Sequence, residues 1–310
     1  MHLIRFRSDG DPGVGVLDGA GLRRLAVDSM AALLRLPLDA IRELVERPGE
    51  PVTGDWVALP PIDGRTEVWA SGVTYLRSRD ARIEETTQRT VYELVYDAAR
   101  PELFGKAPAW RVVTDTEPIA VRPDSELDVP EPELAVLANA HAEIVGYLVC
   151  NDVSSRSIEG ANPLYLPQAK CYAGSTALSA LVRPAWEVDA ARLGITLSIS
   201  RDGVEVFTGA TGTDRIRRTP AELLGYLFRC ENHPDGAVLS TGTGIVPGVE
   251  FSLRDGDLVS IAIDGIATLV NPVVIGKEKL AFLADRVRRG VDPTRIGRPP
   301  TSPGAAEPQA

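Results

Sequence analysis

Between Val129 and Asp152 the chain reads VPEPELAVLANAHAEIVGYLVCND, and this stretch constrains the fold more than any other. Leu134 to Ala138 and Glu143 to Cys150 are apolar runs of strand length bounded by polar residues, and Asn139 to Ala142 between them has turn composition. The pattern predicts a hairpin. Glu131 and Glu133 stand two apart, a spacing that in an extended segment puts both side chains on one face. Folding back about His141 brings Asp152 beside Glu131, so three carboxylates meet at the open end. Acids placed this way repel unless a cation joins them. Hard divalent ions, Mg²⁺ first and Mn²⁺ or Ca²⁺ as alternatives, take oxygen ligands and leave positions open for water or a chelating substrate. The plainer alternative is two solvated acids flanking a strand, with Asp152 capping a turn.

A chain of 310 residues accommodates one large domain or two of unequal size, and 44% hydrophobic with 25% charged residues is an ordinary globular composition. No apolar run approaches the roughly 20 residues needed to span a bilayer, and MHLIRFRSDG lacks the apolar core of a secretory signal. Cys150, Cys171 and Cys230 cannot all pair with one another and lack zinc spacing; they read as thiols in a reducing, cytoplasmic compartment. A net charge of −10 argues against a nucleic-acid or membrane partner. An anionic small-molecule substrate stays open, because a local metal and lysines outweigh a distant average.

Taken in order, residues 1–65 read as a small N-terminal α/β domain: HLIRFR and VGVLD form a hairpin around SDGDPG, and Met30–Leu36 and Leu38–Arg47 have helical spacing broken at Pro37. Ala58-Leu59-Pro60-Pro61 reads as a junction, residues 66–285 as the catalytic domain, and 286–310 as a disordered tail rich in Arg, Pro, Gly and Ala. Trp69 to Tyr75 is a strand leading into a polar, helical stretch from Leu76 to Asp97. Further on, Leu193–Arg201 and Val204–Gly209 flank Asp202-Gly203, Pro220–Arg229 is helical, and Leu258–Ile263 and Ile266–Val270 flank Asp264-Gly265. Many short strands, tight turns and few helices argue for a β-rich α+β fold.

From Asn151 the chain continues NDVSSRSIEGANPLYLPQAKCYAGSTAL. A Glu-x-Glu strand, an Asn-Asp-Val-Ser-x-Arg segment and a downstream Lys, in this order, resemble the fumarylacetoacetate hydrolase superfamily. The stretches WASGVTY, YDAARPELFGKA, PEPELAV, NPLYLPQAKCYAG and TGTGIVPG resemble most closely its 2-keto-3-deoxy-arabinonate dehydratase branch. The resemblance covers roughly Val68 to Val274 and implies a mixed β-sandwich roll, usually a homodimer.

It also implies site residues. Glu131, Glu133 and Asp152 match the metal ligands; Lys170 matches the family Lys and, with Glu102, is a candidate acid or base. Lys106, Arg156, Glu159 and Thr243 match substrate-contact positions, with surface salt bridges the alternative for Arg156 and Glu159. Lys170 carries independent weight, since an unpaired ammonium in so apolar a run is costly. Two departures stand out. Ser78 occupies the position where many superfamily hydrolases carry a water-activating His, and Gly105 replaces a common Phe beside Lys106. The three histidines, His2, His141 and His233, fall outside the catalytic motifs.

The implied reaction is Mg²⁺-dependent dehydration of a 2-keto-3-deoxy sugar acid. A 2-oxo acid chelates the metal through a carboxylate and the keto oxygen, which acidifies the C3 proton and stabilises the enolate. Lys170 or Glu102 would take that proton, and Glu102 or a water would protonate the departing C4 hydroxyl. The alternatives are acylpyruvate hydrolysis or oxaloacetate-type decarboxylation on the same metal, and non-catalytic binding of a 2-oxo acid.

Overall fold

The apolar runs around Asn139 do fold as a hairpin: β9 (Pro132–Ala138) and β10 (Ile144–Asp152) pair antiparallel, with Val136 opposite Tyr147 and Cys150 opposite Glu133. The structure, a computed structural model, describes residues 1–78 and 94–289. In the turn, the Asn139 side-chain oxygen accepts from the amides of His141 (3.0 Å) and Glu143 (2.9 Å), and Ala142 takes a φ of 61°. This side-chain turn fixes the register that brings Asp152 back to Glu131.

Every residue of β9 is buried. Leu134, Val136 and Ala138 enter one core cluster, and Ala135 and Leu137 enter a second on the other face. A strand covered on both faces needs no polar alternation, which is why its sequence is a continuous apolar run.

Beyond β9 in the same sheet lie β16 (Ala237–Thr243), β5 (Glu67–Gly72) and β6 (Glu102–Pro108). Beyond β10 lie β13 (Leu181–Pro184), β1 (His2–Ser8), β2 (Asp11–Asp18) and β3 (Gly21–Arg24). β12 (Thr176–Leu178) also pairs with β10, and β4 (Trp56–Leu59) with β1, giving eleven strands. Among the described strands of this sheet, only β16 and β5 run parallel. Trp56–Leu59, part of it read as a junction, is therefore a strand. Residues of the amino-terminal part extend the central sheet through Leu3 opposite Val182, and Leu3, Leu33 and Ile41 share a core cluster with Leu137 and Leu148.

A second sheet of five strands packs on the first: β15 (Val204–Gly212), β14 (Gly194–Arg201), β17 (Leu258–Ile263), β18 (Ala267–Ile275) and β7 (Ile119–Val121). Asp202 (φ 52°) and Gly203 (φ 78°) make the two-residue turn predicted between β14 and β15. Ile195, Leu197, Ile199 and Ile261 meet Leu134 and Val136 between the sheets. Burial of each such side chain contributes about 1.5–3 kcal/mol. A short pair, β8 (Asp128–Val129) and β11 (Ser154–Ser155), brackets the acidic end of the hairpin.

Of the helical stretch expected from Leu76 to Asp97, residues 79–93 lie outside the described residues, and 94–97 are helical. The helix Phe282–Arg289 includes residues 286–289, which composition had assigned to the tail; residues 290–310 lie outside the described residues. Among the described residues no helix is long and apolar enough to cross a membrane.

Candidate metal and substrate site

Three strands bring the acids together. Glu131 immediately precedes β9, and its backbone oxygen accepts from the Asp152 amide at 3.0 Å. Glu133 sits on β9 between Cys150 of β10 and Thr243 of β16. One oxygen from each of Glu131, Glu133 and Asp152 can be chosen so that all lie within 4.8 Å of one another, and all three residues are buried.

The positive charges around them are not evenly shared. Lys170, ending the helix Leu166–Lys170, donates to Glu131 Oε2 at 2.7 Å, Asp152 Oδ2 at 3.1 Å and Ser154 Oγ at 2.5 Å. Arg156 opens the helix Arg156–Ala161 and places a guanidinium nitrogen 2.5 Å from Glu131 Oε1. Lys106 on β6 lies 2.9 Å from Asp152 Oδ1 and donates to the backbone oxygens of Val153 and Lys170.

Glu133 has no Lys or Arg ion pair among the described residues; Ser240 Oγ (2.5 Å) and the Gly242 amide (2.8 Å) donate to its Oε2. Burial, and then the charges of Asp152 and Glu131, push its carboxyl up to about 8. An all-oxygen set of three buried carboxylates, one of them lacking a cation, fits a hard divalent ion such as Mg²⁺.

The acids floor a cleft of about 270 Å³, part of it open to solvent. Lys170, Glu102, Glu159 and Thr243 line it together with the three carboxylates. Lys106 and Arg156 do not line it; they stand behind Asp152 and Glu131 and are almost fully buried. Glu102 opens β6 opposite Gly72 and lays its carboxylate over that glycine: a Cβ on Gly72 would lie 2.0 Å from Glu102 Oε2 and could be accommodated only if the carboxylate moved away. Ser78, buried, also faces the cleft, so the position that departs from the hydrolases belongs to the site wall.

Sequence reasoning missed Ser154, Ser240, Gly242, Ser71 and Phe104. Ser154 fixes the Lys170 amine and donates its own proton to the Asp152 backbone oxygen at 2.9 Å. Phe104 lays its ring 5.7 Å from Lys170 Nζ. The glycine-rich run after Leu239 was the available signal for Gly242, whose φ of 91° lets its amide turn onto Glu133. Nothing in the sequence spacing ties Ser240 to an acid 107 residues away.

Comparison with known proteins places these features in a family. Residues 84–274 match the model of the fumarylacetoacetate (FAA) hydrolase C-terminal domain. The chain is 42% identical over 276 residues to a 2-dehydro-3-deoxy-D-arabinonate dehydratase of Saccharolobus solfataricus, covering 83% of this chain and 91% of that one. It is 44% identical over 255 residues to a protein of Haloferax volcanii named probable 2-keto-3-deoxyxylonate dehydratase, covering 82% and 85%. A solved 2-keto-3-deoxy-D-arabinonate dehydratase complexed with magnesium and 2,5-dioxopentanoate superposes with a TM-score of 0.78 at 39% identity, over 89% of this chain and 99% of that one.

Proposed function

The chain belongs to the fumarylacetoacetate (FAA) hydrolase family, and from that premise we propose that it is a Mg²⁺-dependent hydro-lyase that dehydrates a 2-keto-3-deoxy sugar acid to a dioxo acid. The observation that carries this reading is one cleft holding three clustered carboxylates, Lys170 and Glu102, with Ser78 in its wall.

Glu131, Glu133 and Asp152 would hold the ion, which when bound supplies Lewis-acid polarisation of a 2-oxo acid. Lys106 and Arg156 bear on the substrate through Asp152 and Glu131, which they hold in place by ion pairs. Thr243 and Glu159 line the wall where substrate hydroxyls are recognised. Lys170 and Glu102 are the two groups that exchange protons with the substrate: one takes the C3 proton, the C4 hydroxyl leaves as water with a proton from the other, and the unsaturated 5-hydroxy acid so formed becomes the dioxo acid by transfer of a proton from C5 to C3 and ketonisation of the C5 enol. Ser78 cannot act as the base that activates water for carbon–carbon hydrolysis, which favours dehydration over the hydrolytic chemistry of the wider family.

The cysteines are all unpaired thiols, which supports placement in the reducing cytoplasm. We also assign the protein a homodimeric state, as the family resemblance implies. The function is tested by incubating the purified protein with 2-keto-3-deoxy pentonates, acylpyruvates and oxaloacetate, with and without Mg²⁺, and reading product masses. Loss of water from the deoxy acid in Mg²⁺ is the expected result. Pyruvate with a second carboxylic acid would mean hydrolysis, and loss of carbon dioxide would mean decarboxylation.

A further inference from the structure

We propose that Arg218 and Tyr226 are positioning residues for Glu102: from outside the cleft they hold the chain that enters β6, and so set where the Glu102 carboxylate stands. The inference deepens the proposed dehydration and rests on its assignment of Glu102 to proton transfer.

Glu102 is the first residue of β6, an edge strand that pairs only with β5 among the described strands. Its pairing with Gly72 is the last of that ladder, so the ladder fixes Glu102 from one side and from downstream. Upstream stand residues 96–101, of which 96 and 97 end a helix and 98–101 have no regular structure. Carbonyls at and beyond a helix end need donors from elsewhere.

Three side chains close together in sequence supply them. Arg217 donates to the Tyr96 oxygen, Arg218 to that of Ala98, and the Tyr226 hydroxyl to that of Ala99 at 2.8 Å. The donors are themselves held. Arg218 is buried, and a second guanidinium nitrogen donates to Glu222 at 2.7 Å in the helix Pro220–Leu227. The guanidinium carbons of Arg229 and Arg100 lie 4.1 Å and 5.7 Å from the centre of the Tyr226 ring.

Between Ala99 and Glu102 stand only Arg100 and Pro101. The proline ring fixes its own φ and confines the residue before it to extended backbone. A carbonyl held at Ala99 is thus joined to Glu102 by a short, stiff link with little freedom to absorb a shift.

The segment facing Glu102 is tied to the same stretch. The Arg217 amide donates to the Thr74 oxygen at 3.1 Å, and Thr74 Oγ1 donates to the Thr241 oxygen at 2.6 Å. Thr74 stands two residues after Gly72, the glycine over which the Glu102 carboxylate lies. Ser71 Oγ, donating to the Glu102 backbone oxygen at 3.0 Å, joins the two segments directly. A helix end at the surface can leave its carbonyls to water, whereas burying a guanidinium is costly unless it is paired and hydrogen-bonded. Arg218 is spent on the chain that delivers Glu102, and neither it nor Tyr226 lines the cleft.

The test compares the wild type with Glu102→Gln, Tyr226→Phe and Arg218→Met, and with each of the last two combined with Glu102→Gln, on a 2-keto-3-deoxy pentonate in Mg²⁺. Tyr226→Phe removes only the hydroxyl and keeps the ring, so it carries the test should Arg218→Met fail to fold. Each single variant at the clamp should lower kcat about tenfold with KM within about twofold, short of the roughly hundredfold that an ångström of misplacement can cost. Added to Glu102→Gln, the same substitutions should cost no further kcat, because the group they position is gone. Hydrogen exchange without substrate should quicken in peptides spanning residues 96–104 and stay unchanged in β9 and β10. Wild-type kcat in both clamp variants, losses that add fully to that of Glu102→Gln, or unchanged exchange across residues 96–104 overturns the inference and leaves Glu102 in its role. A wild type that does not dehydrate the pentonate, or a Glu102→Gln that turns over as fast as wild type, overturns both.

Discussion

Lys170 Nζ lies 2.7 Å from Glu131 Oε2, and on the opposite oxygen of the same carboxylate sits the Arg156 guanidinium. Glu131 thus neutralises two buried cations, whereas among the described residues Glu133 accepts only from a hydroxyl and a backbone amide.

The three acids should therefore respond differently to removal. Glu131→Gln leaves two buried cations short of a partner and should cost about 3–5 kcal/mol. Glu133→Gln keeps an acceptor for Ser240 and Gly242 and removes a carboxylate that burial and its acidic neighbours disfavour, so it should leave the metal-free protein as stable as the wild type or more so. Both should weaken Mg²⁺ binding at least about tenfold, the loss of one charged ligand. Urea denaturation without metal and titration calorimetry with it separate the two effects; equal destabilisation by both variants would refute the unequal sharing of charge.

Lys170 should act without forming a Schiff base. Its three protons already have three acceptors, Glu131, Asp152 and Ser154, an arrangement suited to an ammonium beside anionic oxygens. Chelator should abolish activity, Mg²⁺ should restore it, and borohydride with substrate should leave no mass adduct on Lys170. A reduced adduct formed in chelator with activity intact would assign the chemistry to an imine.

Gly72→Ala should disable Glu102 without touching it in sequence. The new methyl would meet the Glu102 carboxylate, the free end of a flexible side chain, so the fold should tolerate it while the acid swings away from the cleft. A fall in kcat of about 10²-fold, the scale of a lost proton-transfer group, is expected with little change in denaturation midpoint. Unchanged kcat would remove Glu102 from the proton-transfer pair.

Asp235 should contribute an acid-sensitive part of the stability. Its carboxyl accepts from the Arg65 guanidinium and amide and from Arg35, which hold it down at about 2. A depressed carboxyl stabilises the fold above its ordinary value near 4, and the contribution fades as pH falls through about 2. Because both arginines are more than half exposed, the difference between wild type and Asp235→Asn should be only about 1 kcal/mol at pH 7. It should shrink below pH 4; a gap that persists at pH 2 would rule out this linkage.

The sequence revealed what local spacing controls. The β9–β10 hairpin, the Asp202-Gly203 turn and the clustering of Glu131, Glu133 and Asp152 all follow from residues within about twenty positions of one another. Lys170 was legible because a charge in an apolar run demands partners, and it found them. Hidden from the sequence were contacts made across sheets. Ser240 and Gly242 reach Glu133 at the point where β16 breaks register, between Ser240 and Thr243. Lys106 and Arg156 were expected against substrate; motif position does not reveal whether a cation faces the cleft or stands behind the acids. Glu102 to Pro108, where the sequence offered only the site candidates Glu102 and Lys106, proves to be the edge strand β6.

The divided edge of β1 bears on how the chain is made. Leu3 and Ile4 pair with β13, about 180 residues downstream, while Arg5 to Ser8 on the same edge pair with β4, complete by Leu59. At about 5–20 residues per second, β13 leaves the ribosome about 9 to 36 seconds after β1. During that interval β2 covers one edge of β1 and β4 half of the other, and Arg5 ties the junction by donating to the backbone oxygens of Pro60 and Ile62. If β2 and β4 pair as they are made, β1 itself waits with only two residues of open edge, too short a stretch to recruit a neighbour on the same polysome.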